Sequence, residues 1–193
     1  MMIGDRFGLI MLALMVSLTG VRFAAADDLH SMTPSPQATE AMRLLESADP
    51  YQRQLGFLRL EALREQSSVG IIKRYIDSKD PDVRSYSIRA LAAIDGENAI
   101  PILLEALRKD KHPRVRRAAL LALEPFAKVG TEIIPALIKA LRDHSTEVRM
   151  AAVDIVSRID EPSAKEAIRL RLRREHRRDV IRVLSLAQKR LSK

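Results

Sequence analysis

Apolar and polar positions along the chain repeat with a period of about 32 residues. Each period holds two segments in which apolar side chains recur every three or four residues, the spacing of an amphipathic helix. The first segments, named A helices, read ATEAMRLLES, VGIIKRYIDS, AIPILLEALRKD and IIPALIKALRD. The second segments, named B helices, contain QRQLGFLRLEAL, VRSYSIRALAAI, VRRAALLALEPF and VRMAAVDIVSRI. The pattern therefore predicts paired antiparallel helices over most of the chain.

A recurring turn starts each B helix, and its fullest form is Asp80-Pro81-Asp82-Val83-Arg84. The arginine of this turn recurs at intervals of 31, 32 and 33 residues, as Arg53, Arg84, Arg116 and Arg149. A proline at the first helical position gives up only an N–H that has no partner there. Helix pairs repeated at this period are typical of arrays in which each unit packs on the next. The fold prediction is an all-α, right-handed α-solenoid of about four to five antiparallel helix pairs.

Other positions of the pattern refine this prediction. Small side chains recur at one B-helix position, as Gly56, Ser87, Ala119 and Ala152, where they would let a neighbouring helix approach closely. Pro125 is expected to kink or end the third B helix between Leu121 and Glu124. A fifth pair at about residues 163–191 has Ile181 where the others have arginine, and we interpret it as a terminal cap. Aromatic residues make up 4% of the chain, so the core should be aliphatic.

The start of the chain has the composition of a secretory signal peptide. Arg6 lies in a short polar start, residues 7–21 form an apolar run, and Ala24-Ala25-Ala26 offers an A-x-A cleavage site. An uncleaved membrane anchor is the alternative, but a spanning helix needs roughly 20 apolar residues. We therefore expect export, to the periplasm, with cleavage after Ala26. The predicted segments are a signal peptide at 1–26, a flexible leader at 27–36 and a repeat domain at 37–193.

The formal charge of +8 is concentrated at the C-terminal end. Residues 165–193 carry eleven Lys or Arg against three acids, whereas residues 27–164 have a net charge of -1. Such a cluster attracts anionic partners through interactions that weaken as salt rises. The predicted contacts for an anionic partner are Arg169, Arg171, Arg173, Arg174, Arg177 and Arg178. The alternative is a solvated cap that only prevents end-to-end stacking.

The string K-D-P-D-V-R-x-x-x-x-R-A-L, with its echo V-R-R-A-A-L-L-A-L, resembles HEAT repeats, specifically the short HEAT-like class also found in phycobilin lyases. The resemblance covers residues 37 to about 191 and implies mostly protein-binding scaffolds, with only an occasional enzyme. It also implies a structural ladder of B-helix arginines and turn aspartates. The members of this ladder would be Arg53, Arg84, Arg116, Arg149, Asp110 and Asp143. The first two repeats have Ser47 and Ser78 at the turn position, which leaves Asp49 and Asp80 as alternative partners.

The outward face of the B helices is the predicted concave binding surface. It is expected to carry Gln54, Leu58, Ser85, Arg89, Arg117, Leu121, Met150 and Asp154. This mixed surface has no aromatic stripe, so it favours a protein partner over single-stranded nucleic acid. His112, His144 and His176 recur every 32 residues, but helices of neighbouring repeats lie roughly 8 to 10 Å apart, too far to share a zinc ion.

The sequence contains no cysteine and no recognisable catalytic constellation, so we predict no cofactor, no metal site and no enzymatic activity. The function that it predicts is an exported, non-enzymatic scaffold or adaptor that mediates protein–protein interaction in the cell envelope. One alternative is a lyase- or chaperone-like accessory protein, as the phycobilin lyase resemblance implies, although such lyases work inside the cell. The other is an adaptor that binds anionic envelope surfaces through the basic C-terminal end.

Overall fold

The computed structural model describes residues 33–191, so the predicted signal peptide and most of the predicted leader lie outside the described residues. Within this range the chain forms ten α-helices and no strand. The helices are α1 (Pro36–Leu45), α2 (Pro50–Leu63), α3 (Val69–Lys73), α4 (Pro81–Asp95), α5 (Ile100–Lys109), α6 (Pro113–Leu123), α7 (Ile133–Ala140), α8 (Thr146–Val156), α9 (Pro162–Leu172) and α10 (Arg178–Leu191). Odd-numbered helices are A helices and even-numbered ones are B helices. The predicted all-α solenoid is confirmed, with five helix pairs.

The recurring turn works as a helix start. Side chains of Asp49, Asp80 and His112 accept a hydrogen bond from the backbone N–H two residues further on, at 2.9, 2.8 and 3.3 Å. These bonds satisfy N–H groups that have no partner inside the helix. Ser145, at the same position before α8, makes no capping bond with its side chain. Its own N–H donates to Asp143 at 2.8 Å, and the N–H groups of the other three capping residues likewise donate to the side chain two positions earlier.

Some helix boundaries follow from single residues. Pro125 lies in a 3-10 turn directly after α6, which ends two residues earlier because proline has no N–H to continue the helix. The first helix, α1, begins at Pro36, one residue before the predicted start of the repeat domain. Ser35 caps it, and the N–H and hydroxyl of Ser35 donate to Glu65 at 2.6 and 2.5 Å. These two hydrogen bonds attach the start of α1 to the segment that follows α2.

The helices form two layers around an aliphatic core. Consecutive B helices pack side by side from α2 to α10, and each A helix packs on the B helix of its own pair. The A helices α5, α7 and α9 also pack in sequence. Most of the buried side chains are Leu, Ile, Val and Ala. Phe57 is an exception, with its ring centroid 5.5 Å from that of Tyr75 and 6.1 Å from that of Tyr86.

The recurring small residues lie where helices meet. A Cβ atom added to Gly56 would lie 2.8 Å from the carbonyl oxygen of Ala41 and 2.8 Å from a methyl group of Leu45, both in α1. The equivalent residues Ser87 and Ala119 are fully buried, as is Ala152. Any larger side chain here would push the helices apart. No helix in residues 33–191 is both long and apolar enough to cross a bilayer.

Candidate functional site

Arginines at one position near the start of the B helices connect each turn to the next. Nε and Nη2 of Arg84 donate to the carboxylate of Asp110 at 2.8 and 2.9 Å. Arg116 donates in the same way to Asp143, with both distances 2.7 Å. The planar guanidinium matches two carboxylate oxygens at once, which makes these hydrogen bonds strong and directional. The turn aspartates Asp110 and Asp143 are thus in direct contact with two of the four ladder arginines.

Each ladder arginine also closes its own turn. Nη1 of Arg84 donates to the backbone carbonyls of Ser78 and Lys79, at 2.7 and 3.3 Å. The same bonds, to the carbonyls six and five residues earlier in the chain, are made by Arg53, Arg116 and Arg149. Each ladder guanidinium therefore bonds to two backbone carbonyls of its own repeat and lies next to a carboxylate of the following repeat.

The two outer links of the ladder differ from the inner ones. Arg53 lies 3.9 Å from Asp80, whose side chain is 43% exposed, so this link is the loosest. Arg149 donates to Glu175 at 3.0 and 3.5 Å, and the Glu175 side chain is 3% exposed. The sequence analysis did not identify Glu175 as a ladder acid. Its position 32 residues after Asp143 is the signal that could have found it.

The ladder acids are held in their charged form. Burial raises the pKa of Glu175, but hydrogen bonds from Arg171, from the backbone N–H of Arg177 and from Arg149 outweigh it and lower the pKa to about 2. Burial likewise raises the pKa of Asp110 and Asp143, and their guanidinium partners and backbone N–H donors hold the pKa of both below its usual value. Hydrogen bonds to a carboxylate favour its ionised state. These acids are therefore charged at neutral pH.

The B helices carry most of the exposed large apolar side chains. Among residues 33–191, seven of the eight exposed large apolar side chains belong to B helices; they are Tyr51, Leu55, Leu58, Leu63, Leu121, Met150 and Leu186. The eighth, Val129, lies in the loop between α6 and α7. A depression of about 470 Å³ spans α2, α4 and α6 on this layer and includes Arg89 and Leu121 in its lining. Clustering of this kind is a feature of interaction surfaces.

A second set of ion pairs links neighbouring B helices, and it was not predicted from the sequence. Arg89 of α4 donates to Glu61 of α2 at 3.0 Å. Arg158, two residues after α8, reaches back to Glu124 at the end of α6, at 3.0 Å. Between these two links, Arg114 of α6 pairs with Asp82 of α4. In each link an arginine contributed by the later repeat contacts an acid of the earlier one, opposite to the direction of the buried ladder.

Most of the residues predicted for the concave surface are exposed, but Ser85 is not. Gln54 is half-buried, and the exposed members are Leu58, Arg89, Arg117, Leu121, Met150 and Asp154. Ser85 is only 5% exposed, and its hydroxyl donates to the carbonyl of Asp82 at 2.8 Å. The prediction for Ser85 is wrong because its short side chain bonds back to its own helix and is covered by its neighbours.

A family model described as HEAT repeats matches residues 41–124 and 126–187. The chain belongs to the HEAT-repeat family. No curated protein matches the sequence significantly. The HEAT-repeat fold is similar to that of phycocyanin lyase from Nostoc sp. PCC7120, solved as a complex of CpcE and CpcF, with a TM-score of 0.61, 25% identity and coverage of 78% of this chain and 97% of that one. It is also similar to an engineered protein, with a TM-score of 0.53, 20% identity and coverage of 80% and 79%.

The six arginines predicted to bind an anionic partner lie at the last helix pair of the HEAT array, and they differ in availability. Arg169 pairs with Glu166 at 2.8 Å and Arg177 pairs with Asp179 at 3.2 Å, both on the surface. Arg171 is a correction to the prediction, because it donates to the buried Glu175 at 2.5 Å and its side chain is only 19% exposed. The other three of these six arginines, Arg173, Arg174 and Arg178, are exposed and form no ion pair with the described residues.

The three periodic histidines are exposed residues of successive A-to-B turns. The side chain of His112 caps α6. The other two histidines contribute backbone groups to the ladder. The carbonyl of His144 accepts a hydrogen bond from Arg149, and the N–H of His176 donates one to Glu175. Residues 33–191 contain no group of three His, Asp or Glu side chains arranged to hold a metal ion. The histidines thus take part in turn structure.

Proposed function

We propose that this HEAT-repeat protein is an exported, non-enzymatic scaffold that binds a protein partner in the cell envelope through the outward face of its B helices. The observation that carries the proposal is the concentration of exposed large apolar side chains on this one layer. Arginines and acids are interleaved with them, as in the Glu61–Arg89 pair. Apolar anchors among polar neighbours are typical of protein interfaces.

The similar solved structure is a complex of two proteins, CpcE and CpcF. A HEAT-like chain in that complex therefore has a protein partner, which supports a protein partner for this chain as well. The export part of the proposal rests on the residue pattern of positions 1–26.

Site-specific photo-crosslinking tests the binding face. A photoreactive side chain would replace Leu121 or Leu186 in the tagged protein, and Val129 would be the matched exposed control outside the B layer. We expect the same discrete adduct from both B-helix positions, and no adduct from position 129. No adduct at all, or equal adducts from the three positions, would contradict the proposal.

The export part needs a separate measurement. Cell fractionation followed by mass spectrometry should find the protein in the envelope fraction, beginning at Asp27. A full-length chain recovered from the cytoplasm would rule export out and leave the binding face untouched.

A lyase-like accessory function is the second candidate, and the similarity to phycocyanin lyase favours it. The two functions differ in what the crosslinked complex contains. The scaffold predicts a complex without a pigment, whereas the accessory function predicts visible absorbance from a bound chromophore. The absorption spectrum of the purified complex therefore separates them.

A further inference from the structure

The turns that join each A helix to its B helix share one edge of the array. This follows from the packing, because the B helices stack side by side and each A helix packs on its own B helix. We name this edge the turn edge. It consists of residues 46–49, 74–80, 110–112, 141–145 and 173–177.

The charge of the turn edge changes along the array. The first turn carries Glu46 and Asp49 and no basic residue, and the second carries two acids and two basic residues. In the last three turns the acids are the ladder residues Asp110, Asp143 and Glu175, which arginines of the preceding repeats neutralise. The remaining charged side chains there are all basic: Lys111, Arg142, Arg173, Arg174 and Arg177. The turn edge is thus acidic at its first repeat and basic from the third repeat to the fifth.

Two adjoining depressions lie where the basic half of the turn edge meets the A helices. The larger, of about 400 Å³, is between the third and fourth repeats, and its lining includes Arg108, Lys139, Arg142 and His144. The ladder acids Asp110 and Asp143 also line it, each paired with its ladder arginine. The smaller, of about 130 Å³, is between the fourth and fifth repeats, and Arg142 and Arg174 line it together with apolar residues of α7 and α9. Arg142 lines both depressions and so connects them.

The basic residues around these depressions are mostly free to pair with an added carboxylate. In the described chain, Lys139, Arg142 and Arg174 have no carboxylate within ion-pair distance. Arg108 is 3.5 Å from Glu132, in a pair whose two side chains are 44% and 70% exposed. Several basic side chains around a concave site attract an anion more strongly than the same charges spread over a flat surface.

We propose that the basic half of the turn edge binds an acidic, extended segment of a partner polypeptide, with its carboxylates in the two depressions. Arginine side chains bind carboxylates through paired hydrogen bonds. Neighbouring repeats are spaced by about 8 to 10 Å, and an extended chain advances by about 3.3 to 3.6 Å per residue, so every third residue of the segment would meet a new turn.

The shape of the site favours a peptide over the other polyanions. None of the exposed large apolar side chains of the described chain lies in turns three to five, where it could insert into lipid. The lining residues of both depressions include no Phe, Tyr or Trp ring on which a nucleic-acid base could stack. Their apolar walls suit the uncharged residues between the carboxylates. This surface is separate from the B-helix face of the proposed function.

Fluorescence anisotropy with a labelled (Glu-Gly-Ser)4 peptide tests the proposal on the purified protein. The matched control ligand is (Gln-Gly-Ser)4. The test variant is Lys139→Glu/Arg142→Glu/Arg174→Glu, and the control is Arg59→Glu/Arg182→Glu/Lys189→Glu, which changes the net charge equally at exposed B-helix positions. Arg142→Gln is a milder single variant in case the triple variant does not fold.

We expect the acidic peptide alone to bind, with affinity falling about 100-fold in the test variant, about tenfold in Arg142→Gln and no more than about threefold in the control variant. Equal losses in both triple variants would mean that only net charge matters, and would overturn the proposal. So would the absence of peptide binding. Binding to phosphatidylglycerol vesicles or duplex DNA that is tighter than peptide binding, and is lost in the test variant, would assign the site to that polyanion instead.

Discussion

The Arg116–Asp143 link allows the most direct test of the ladder. The Asp143 carboxylate accepts two hydrogen bonds from Arg116 and one from the N–H of Ser145. Replacing Asp143 with Asn keeps the shape but turns one oxygen into an NH2 group, which then faces another donor. The Arg116 and Asp143 side chains are 13% and 11% exposed, so the guanidinium would be left with an incomplete set of partners and little water.

The magnitude follows from this burial. Removing one partner of a buried ion pair costs about 3 to 5 kcal/mol, and because this pair retains some exposure we expect about 3 kcal/mol for Asp143→Asn. The matched control is Asp80→Asn. Asp80 is 3.9 Å from Arg53 and 43% exposed, and Asn caps a helix as well as Asp does. Its loss should stay below about 1 kcal/mol, the range of exposed pairs.

Urea unfolding at neutral pH measures both variants. With a slope of about 2 kcal/mol/M, the midpoint should fall by about 1.5 M for Asp143→Asn and by less than about 0.5 M for Asp80→Asn. The pKa of Asp143 is lowered in the folded protein, so its contribution is complete above the ordinary aspartate pKa and is lost as pH falls through the folded pKa. The gap between wild type and Asp143→Asn should therefore shrink in acid. Equal midpoint shifts for the two variants, or a gap independent of pH, would refute the structural role of the ladder.

Further predictions concern packing and acid stability. Gly56→Ala should destabilise the protein by about 1 to 3 kcal/mol, because the new methyl group meets a backbone oxygen at 2.8 Å. The control Gly70→Ala has open space around the new methyl group, so the protein should keep its stability or gain up to about 1 kcal/mol. Equal urea midpoints for the two variants would contradict this. Ala119→Leu, at a fully buried position, should lose about 1 to 3 kcal/mol in the same assay. Glu175, with its pKa lowered from 4.5 to about 2, should lose its stabilising contribution between these pH values, so that acid unfolding of wild type and Glu175→Gln converges near pH 2; a constant difference would show that its charge is not involved.

The fold was accessible from the sequence because its signals are local and repeated. In the first three B helices the capping residue, the proline and the first apolar residue lie within five positions of one another, as in Asp80–Arg84. Pro125 predicts the end of α6 through its missing N–H alone. The repeat period then predicts that the helix pairs pack in chain order, because each unit can bury its apolar face only against the next.

Contacts between repeats on the surface were not accessible in the same way. Glu61 and Arg89 are 28 residues apart, and no local pattern marks one as the partner of the other. The basic depressions show the same limit. Charge counted along the chain assigns the basicity to residues 165–193, whereas packing places Arg142 in one depression with Arg174, 32 residues later. Helix rotation and side-chain length decide such contacts, and the short side chain of Ser85 is covered although Arg89, one turn further along α4, is exposed.

The head-to-tail direction of the ladder has a consequence for how such a protein can change length. Each repeat supplies an acid to the repeat before it and an arginine to the repeat after it, as Asp110 and Arg116 do for the third. Duplicating one complete unit of about 32 residues therefore adds one ladder arginine and one ladder acid together, so that neither is left without a partner. In α10, Ile181 replaces the arginine, so this helix introduces no guanidinium that would need a further acid. The array can thus gain or lose whole units in evolution without leaving a buried charge unpaired.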